Sequence, residues 1–428
     1  MRTPRHITAL ALCRVEQQEA WSNLALESYF QENELDVRDK AFASALFYGV
    51  LSRQLTLDAC ITAHSKKPVN KMDAAVRAIL REAVFQLLYM NSVPEHAAVS
   101  ESVVLTKRMR QASASGFVNA VLRSFLRDNK KIPLPPSPAE KHLSVKYSCN
   151  PALAKMLLGH YGSDITEQIL ADALEAPPVF LQVNTLKTTA DELMTLLIAR
   201  GITAEADDEI SNCLRVQNAG ALHTLPEFKC GFFHIQDRSS QLCAKALNVK
   251  PGQHVLDVCA APGGKSFAIA QQMQNSGRLL CCDLYEHRTG LITNRAAELG
   301  IEIIETQTTD MTIFLPELGE FDRVLCDVPC SGYGAMRRRP EIKYKSPAEF
   351  ANLPDLQYKL LENSSHYCKV GGILVHSTCT LNPAENNDVT QRFLAESPEF
   401  SIVKQSTVLP DGHGGDGFYI CVMERTGT

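Results

Sequence analysis

From about residue 250 the chain alternates short apolar runs with helix-compatible stretches: HVLDVCA from His254, LLCCDL from Leu279, IEIIET from Ile301, RVLCDV from Arg323 and GGILVHSTC from Gly371. Runs that are apolar on successive residues suit strands buried on both faces. Such strands separated by helices form a parallel sheet covered on both sides. Ligands of these sheets bind outside the carboxyl ends of the strands, so residues that carry chemistry are expected there.

The chain before this point is different. In AAVRAILREAVFQLLYM the residues Val76, Ile79, Leu80, Val84, Leu87 and Leu88 share one helical face, and FVNAVLRSFLR from Phe117 repeats the pattern. KKIPLPPSPAE, residues 130–140, is dense in proline and marks a boundary. Helices near 151–173 and 189–200 and a strand-like VFLQVNT follow. A length of 428 residues asks for two or three domains. Residues 1–145 hold 19 Lys and Arg against 14 Asp and Glu, and the remainder 24 against 34, so a basic N-terminal part joins an acidic body. That asymmetry suits a module for a polyanion.

No uncharged apolar run approaches the roughly 18 residues of a membrane helix, and ITALALC near the N-terminus runs into Arg14 and Glu16 as the first turns of a helix. The 14 cysteines show no paired C-x-x-C units and no histidine partners, so no metal is expected. Cys281 and Cys282 sit together in an apolar run, which suits reduced thiols in a cytoplasmic protein.

The first strand runs into DVCAAPGGKS, residues 257–266. Its glycines and small residues let backbone approach a ligand, and the next helix offers unpaired N–H groups. Neither the dinucleotide G-x-G-x-x-G spacing nor G-x-x-x-x-G-K-[ST] is present, which disfavours a nicotinamide oxidoreductase and a phosphate loop. Asp283 follows Gly263 by 20 residues, the place of a carboxylate that accepts ribose hydroxyls. With Asp257, Asp310 and Asp327 it makes four acids at four successive strand ends. Singly each reads as a helix cap or exposed turn; together they suit a nucleoside bearing a positive sulfonium, S-adenosylmethionine.

Two cysteines, Cys330 in DVPCSG and Cys379 in HSTCT, also fall at strand ends on that face. Either alone reads as a small buried apolar residue, a metal ligand or a nucleophile. Two thiols at one site suit a reaction on a pyrimidine ring. One adds to carbon 6 to make carbon 5 nucleophilic, and the other assists release.

CAAPGGKS, DVPCSG followed by RRRPEIKY, and STCT followed by NPAEN resemble the RNA (cytosine-carbon-5) methyltransferase family. The stretches RAILREAVFQLLYM, PEHAAVSESV and FVNAVLRSFLR resemble the helical domain of the antitermination factor NusB. With the terminal DGFYICVME, the whole order is similar to bacterial 16S ribosomal RNA enzymes of the Fmu/Sun type. The resemblance implies a Rossmann-like α/β methyltransferase with a mostly parallel seven-stranded sheet at 236–428. It also implies an all-α NusB-like RNA-binding domain at 1–132 and a small α+β region at 141–235. It implies Cys379 as nucleophile, Cys330 as the release-assisting thiol, Asp327 on the cytosine ring and Lys265 lining the same pocket. The cofactor positions would be Cys259, Ala260, Ala261, Pro262, Gly263, Gly264, Lys265, Asp283, Arg288, Asp310 and Asp327. Substrate would be 16S ribosomal RNA, acted on by a cytoplasmic monomer with no metal and no membrane.

Three residues depart from the family pattern: Val328 for alanine, which would tighten the pocket; Thr380 for serine; and Gln182 where an arginine is usual. Arg337, Arg338 and Arg339, read alone as a solvated surface run, would grip phosphates beside such a pocket. A base must be splayed out to enter it, so single-stranded or looped RNA, or a flipped base, is expected. A non-catalytic RNA-binding factor is the rival reading, and the retained thiols, Asp327 and glycine turn oppose it.

Overall fold

The computed structural model describes residues 2–18, 22–410 and 414–427. Two compact units emerge: Met1–Glu175 with Met336–Ser346, and Ala176–Ala335 with Pro347–Thr428.

The first unit is helical. It holds α1 (Pro4–Gln18), α2 (Ser22–Glu32), α3 (Val37–Ser52), α4 (Gln54–Ala63), α5 (Ala74–Tyr89), α6 (Glu95–Arg108), α7 (Ser115–Arg127), α8 (Ala139–Tyr147) and α9 (Pro151–Asp172). ITALALC lies inside α1, as expected. Helix α5 starts where the Asp73 carboxylate accepts the Ala75 amide at 2.9 Å, which satisfies one orphan donor of the first turn. The sequence suggested one apolar face, yet α5 is buried on nearly every side from Ala75 to Leu87 because α1, α3, α4, α6 and α7 surround it. Its buried Arg81 is accommodated by a two-pronged pair with Asp58, both contacts 2.7 Å.

The proline-dense stretch is irregular up to α8, but it does not end the unit. Ser148 accepts the Leu55 amide at 2.8 Å and the Thr56 hydroxyl donates to the Val145 carbonyl at 2.5 Å, tying the start of α4 to the end of α8.

The second unit opens with an antiparallel sheet in the order β2-β3-β1-β4, built from β1 (Val179–Val183), β2 (Thr203–Ala206), β3 (Cys213–Gln217) and β4 (Phe233–Ile235). Helix α10 (Ala190–Ala199) carries a complete capping box, with Thr189 and Glu192 satisfying each other's backbone N–H. The one-turn α11 (Pro226–Lys229) and then α12 (Arg238–Ala246) lead into the larger sheet.

That sheet contains β5 (His254–Asp257), β6 (Arg278–Asp283), β7 (Ile304–Thr308), β8 (Phe321–Asp327), β9 (Cys368–Thr378), β10 (Phe400–Val408) and β11 (Phe418–Arg425). Helices α13 (Gly264–Gln272), α14 (Glu286–Leu299), α15 (Leu353–His366) and α16 (Asn387–Glu396) link them. The order is β10-β11-β9-β8-β5-β6-β7. Strands β5 to β9 pair in parallel, and β11 and β10 are added antiparallel. The five apolar runs are the five parallel strands, and the central residues of β5, β6, β8 and β9 are buried. Strand β7 starts only at Ile304 because it is the half-exposed edge.

Strand order reverses around β5. The chain runs outward through β6 and β7, then returns to lay β8 and β9 on the opposite side. Such a switch point leaves a crevice at the carboxyl ends of β5 and β8.

Phe125 on α7 is buried to 1 % exposure. Phe125→Ala should lower stability by about 3–5 kcal/mol, the cost of truncating a well-packed aromatic. Urea unfolding followed by far-ultraviolet circular dichroism reads this; a loss below about 1 kcal/mol would contradict the packing.

Candidate active site

All the strand-end residues singled out in the sequence, apart from the three arginines, lie in the second unit. Beyond β5 the backbone folds back on itself, with Ala260 N–H bonded to the Cys282 carbonyl at 2.9 Å and Gly263 N–H to the Ala260 carbonyl at 2.8 Å. Gly263 has φ 104°, and a Cβ there would stand 2.4 Å from the Phe267 ring, so no side chain fits. Helix α13 begins at the next residue.

Asp283 at the end of β6 is buried and accepts the Ala261 amide at 3.3 Å. Arg288 pairs with it at 3.2 Å and donates to the Ala261 carbonyl at 2.8 Å. Acid, arginine and loop thus form one closed cluster. Asp310 lies two residues past β7, where the Thr312 amide (2.9 Å) and hydroxyl (2.7 Å) both donate to it and hold its carboxyl below the usual range. Asp257 points inward: Ser266 donates to it at 2.6 Å, its other oxygen has no partner, and burial pushes its carboxyl up to about 7.

At the end of β8, Asp327 accepts the Lys265 ammonium at 2.7 Å and the Ser377 hydroxyl at 2.7 Å. Burial alone would lower the Lys265 ammonium, but the adjacent Asp327 charge and hydrogen bond hold it above its ordinary value. The Phe418 ring lies 5.1 Å from that ammonium. Three residues past Asp327 and one past β9, Cys330 and Cys379 bring their sulfurs to 3.4 Å, and neither is in a disulfide. Both are half-buried, unlike Cys281 and Cys282, which are wholly enclosed.

The departures are absorbed. Val328 packs into the core with Leu256, Val258 and Cys326. The Thr380 hydroxyl meets Ser331 Oγ at 2.7 Å, a contact that serine could also make. Gln182 is buried on β1 and donates to Val183 O at 3.2 Å and Gln271 Oε1 at 3.4 Å.

The three arginines correct the sequence reading in part. They fall in residues 336–346, which belong to the helical unit. Arg337 is buried and paired with Asp172 at 3.2 Å, so its guanidinium serves packing; Arg338 is half-buried and Arg339 exposed. Further along, Lys343 is buried with its ammonium on the Ser52 carbonyl at 2.5 Å and the Tyr147 carbonyl at 3.3 Å, and burial lowers it to about 7.

Sequence reasoning missed Ser377, Phe418 and Asn386. Asn386 accepts the Thr378 hydroxyl at 2.5 Å and donates to the Thr380 carbonyl at 2.9 Å, clamping both neighbours of Cys379. A signal existed in the HST at the end of an otherwise apolar strand and in the polar NPAEN after it.

A glycine turn after the first parallel strand, acids after the next ones and a switch-point crevice define a Rossmann-like methyltransferase unit, which follows a helical domain in the sequence. Family models agree: the 16S rRNA methyltransferase RsmB/F model matches residues 244–424, the NusB family 2–127, and an RsmF/B-like ferredoxin-like domain 152–223. The probable ribosomal RNA small subunit methyltransferase B of Bacillus subtilis is 35 % identical, over 99 % of this chain and 99 % of its own. That of Synechocystis is 32 % identical over 99 % and 100 %. A methyltransferase homologue from Pyrococcus horikoshii superposes with TM-score 0.61 at 27 % identity, over 68 % of this chain and 99 % of its own. NSun6 of the same organism, solved with SFG, has the same fold, with TM-score 0.60 at 18 % identity over 65 % and 98 %. The chain belongs to the RsmB/F family of 16S rRNA methyltransferases.

The raised Asp257 carboxyl has a measurable consequence. Between its ordinary value near 3.8 and about 7 the folded state keeps a proton that the unfolded state has lost, so stability falls as pH rises through that window. Asp257→Asn should abolish this decline. Thermal midpoints of both proteins from pH 4 to 8 check it, and parallel curves would contradict the buried, protonated carboxyl.

Proposed function

We propose that this protein methylates carbon 5 of a cytidine in 16S ribosomal RNA, with S-adenosylmethionine as methyl donor and a covalent bond from Cys379 to the base. The observation that carries this reading is the pair of thiols 3.4 Å apart, beside a carboxylate–ammonium pair at the switch point. Membership of the RsmB/F family and the names of the relatives support the ribosomal RNA substrate.

The residues fit S-adenosylmethionine. Residues 259–265 make a tight turn in which a Cβ at Gly263 would run into the Phe267 ring, Asp283 is positioned by Arg288, and Asp310 is kept ionised. A carboxylate-lined site without a phosphate loop suits a cationic sulfonium. When bound, the cofactor supplies an electrophilic methyl group.

The chain's own side chains do the rest. Cys379 adds its sulfur to carbon 6 of the cytosine, which turns carbon 5 into an enamine carbon able to take the methyl group. Asp327, steadied by Lys265 and Ser377, contacts the ring beside its exocyclic amine. Loss of the carbon-5 proton to water and cleavage of the sulfur–carbon-6 bond, with Cys330 giving its proton to the departing Cys379 sulfur, then restore the aromatic ring. Cys330 assists that release. Its hydrogen bond to Cys379, its burial and the charge on Cys379 push its thiol well up, which suits a proton carrier better than a nucleophile. The helical residues 1–132 and the region 141–235 act in RNA binding, with Arg338 and Arg339 as phosphate contacts.

Labelled cofactor, unmodified ribosomal RNA and denaturing gels test the roles. Cys379→Ala should be inactive, and Cys330→Ala should accumulate a covalent protein–RNA adduct. An adduct from Cys379→Ala instead would reverse the two assignments, and no transfer by wild type to any RNA would favour a binding factor. Asp327→Asn should lower kcat/KM about 100-fold or more, the usual scale for losing a preorganised charge at a reacting ring. Gly263→Ala should weaken cofactor binding by at least about tenfold in calorimetry, since the loop must open to admit the methyl.

A further inference from the structure

Glu385 lies in the short turn after Cys379 and has no exposed surface. A carboxylate in that position needs partners, and it has four. Oε2 accepts the Ser331 amide at 2.8 Å and the Gln357 side-chain amide at 3.0 Å. Oε1 accepts the Ser331 hydroxyl at 2.5 Å and the Asn382 side-chain amide at 2.9 Å. Gln357 donates through the same nitrogen to the Pro329 carbonyl at 2.9 Å.

These bonds run between two loops. Ser331 and Pro329 flank Cys330 on the loop after β8, while Asn382 and Glu385 follow Cys379 on the loop after β9. A second stitch holds the other side: Gly334 N–H bonds to the Cys379 carbonyl at 2.9 Å, and the Gly334 carbonyl accepts Gly417 N–H at 2.9 Å. A Cβ on Gly334 would fall 1.8 Å from the Gly417 carbonyl oxygen, so this side is already as close as backbone allows. Besides the contact between the Ser331 and Thr380 hydroxyls, the Glu385 carboxylate is the side chain that joins the two loops beside Cys330.

We propose that Glu385 is a positioning residue that fixes the Cys330 thiol against Cys379 and, by its buried negative charge, keeps Cys330 protonated for product release. Its negative charge adds to the hydrogen bond, burial and Cys379 charge that already raise the Cys330 thiol. The purpose assigned to Glu385 rests on the methyl-transfer reading above, but its effect on the thiols is measured without RNA.

Two readouts on the full chain separate position from charge. Diamide, an azo oxidant, takes up the two protons and two electrons released as a Cys330–Cys379 sulfur–sulfur bond forms, and peptide mass spectrometry counts that bond. Glu385→Gln should slow its formation about tenfold or more, on the scale of an ångström-level misplacement of reacting groups. In a Cys379→Ser background, the pH profile of Cys330 alkylation by iodoacetamide should move to lower pH when Glu385→Gln removes the charge. Glu385→Asp keeps the charge and shortens the reach, so it should restore the alkylation profile but not the crosslinking rate. Ser331→Ala, which removes only one of the four bonds, is the milder variant if Glu385→Gln fails to fold, and it should slow crosslinking without moving the profile.

Unchanged crosslinking and alkylation in a Glu385→Gln protein of wild-type thermal midpoint would overturn the proposal. If wild type transfers no methyl group to RNA while the thiols respond as described, the methyl-transfer reading falls and the positioning stands. Normal RNA methylation with thiols indifferent to Glu385 would have the opposite meaning.

Discussion

The site depends on the register between β8 and β9. Their parallel pairing sets Asp327 opposite Ser377, so the Ser377 hydroxyl bonds the carboxylate and the two loops leave the sheet side by side. Cys330 and Cys379 reach one another only because each strand ends within a few residues of that pair. A slip of one residue would turn every side chain of a strand to the opposite face, separating acid from hydroxyl and thiol from thiol. The apolar residues on both sides of these strands make such a slip costly, since Leu325, Cys326, Leu374 and Val375 are all fully buried. Hydrophobic burial therefore fixes the register, and the register assembles the chemistry.

Electrostatics then differentiates groups that the fold has brought together. Asp257 and Asp327 end adjacent strands, yet one is enclosed and rises to about 7 while the other is paired with Lys265. The Cys330 thiol is likewise driven up by its hydrogen bond to Cys379 and by its burial. Similar residues at equivalent strand ends thus acquire different roles from their surroundings.

Much of this was legible in the sequence. Strands β5, β6, β8 and β9 could be read from apolar runs, because burial on both faces leaves little room for polar alternation. The strand-end acids and both cysteines followed from the rule that ligands sit at carboxyl ends. Strand β10 was not legible: it is an edge strand with mostly exposed residues, so its sequence carries little apolar signal. The extent of the helical unit was hidden too, because polar contacts such as Ser148 to Leu55, and not an apolar pattern, hold α8 to α4. Arg337 misled for the opposite reason: a run of three arginines looks uniform in sequence, but only tertiary structure shows that one of them is turned inward onto Asp172. Glu385 and Asn386 were visible only as polar letters, since hydrogen bonds between loops leave no periodic trace.

In the proposed reaction, paired thiols at adjacent strand ends serve methyl transfer to a pyrimidine carbon. Its most direct measurement is nucleoside mass spectrometry of unmodified 16S ribosomal RNA incubated with the wild-type protein and a methyl donor bearing an isotopic label. Label is expected in 5-methylcytidine. Label in a ribose methyl group or on an exocyclic nitrogen, positions that need no thiol addition to the ring, would contradict it.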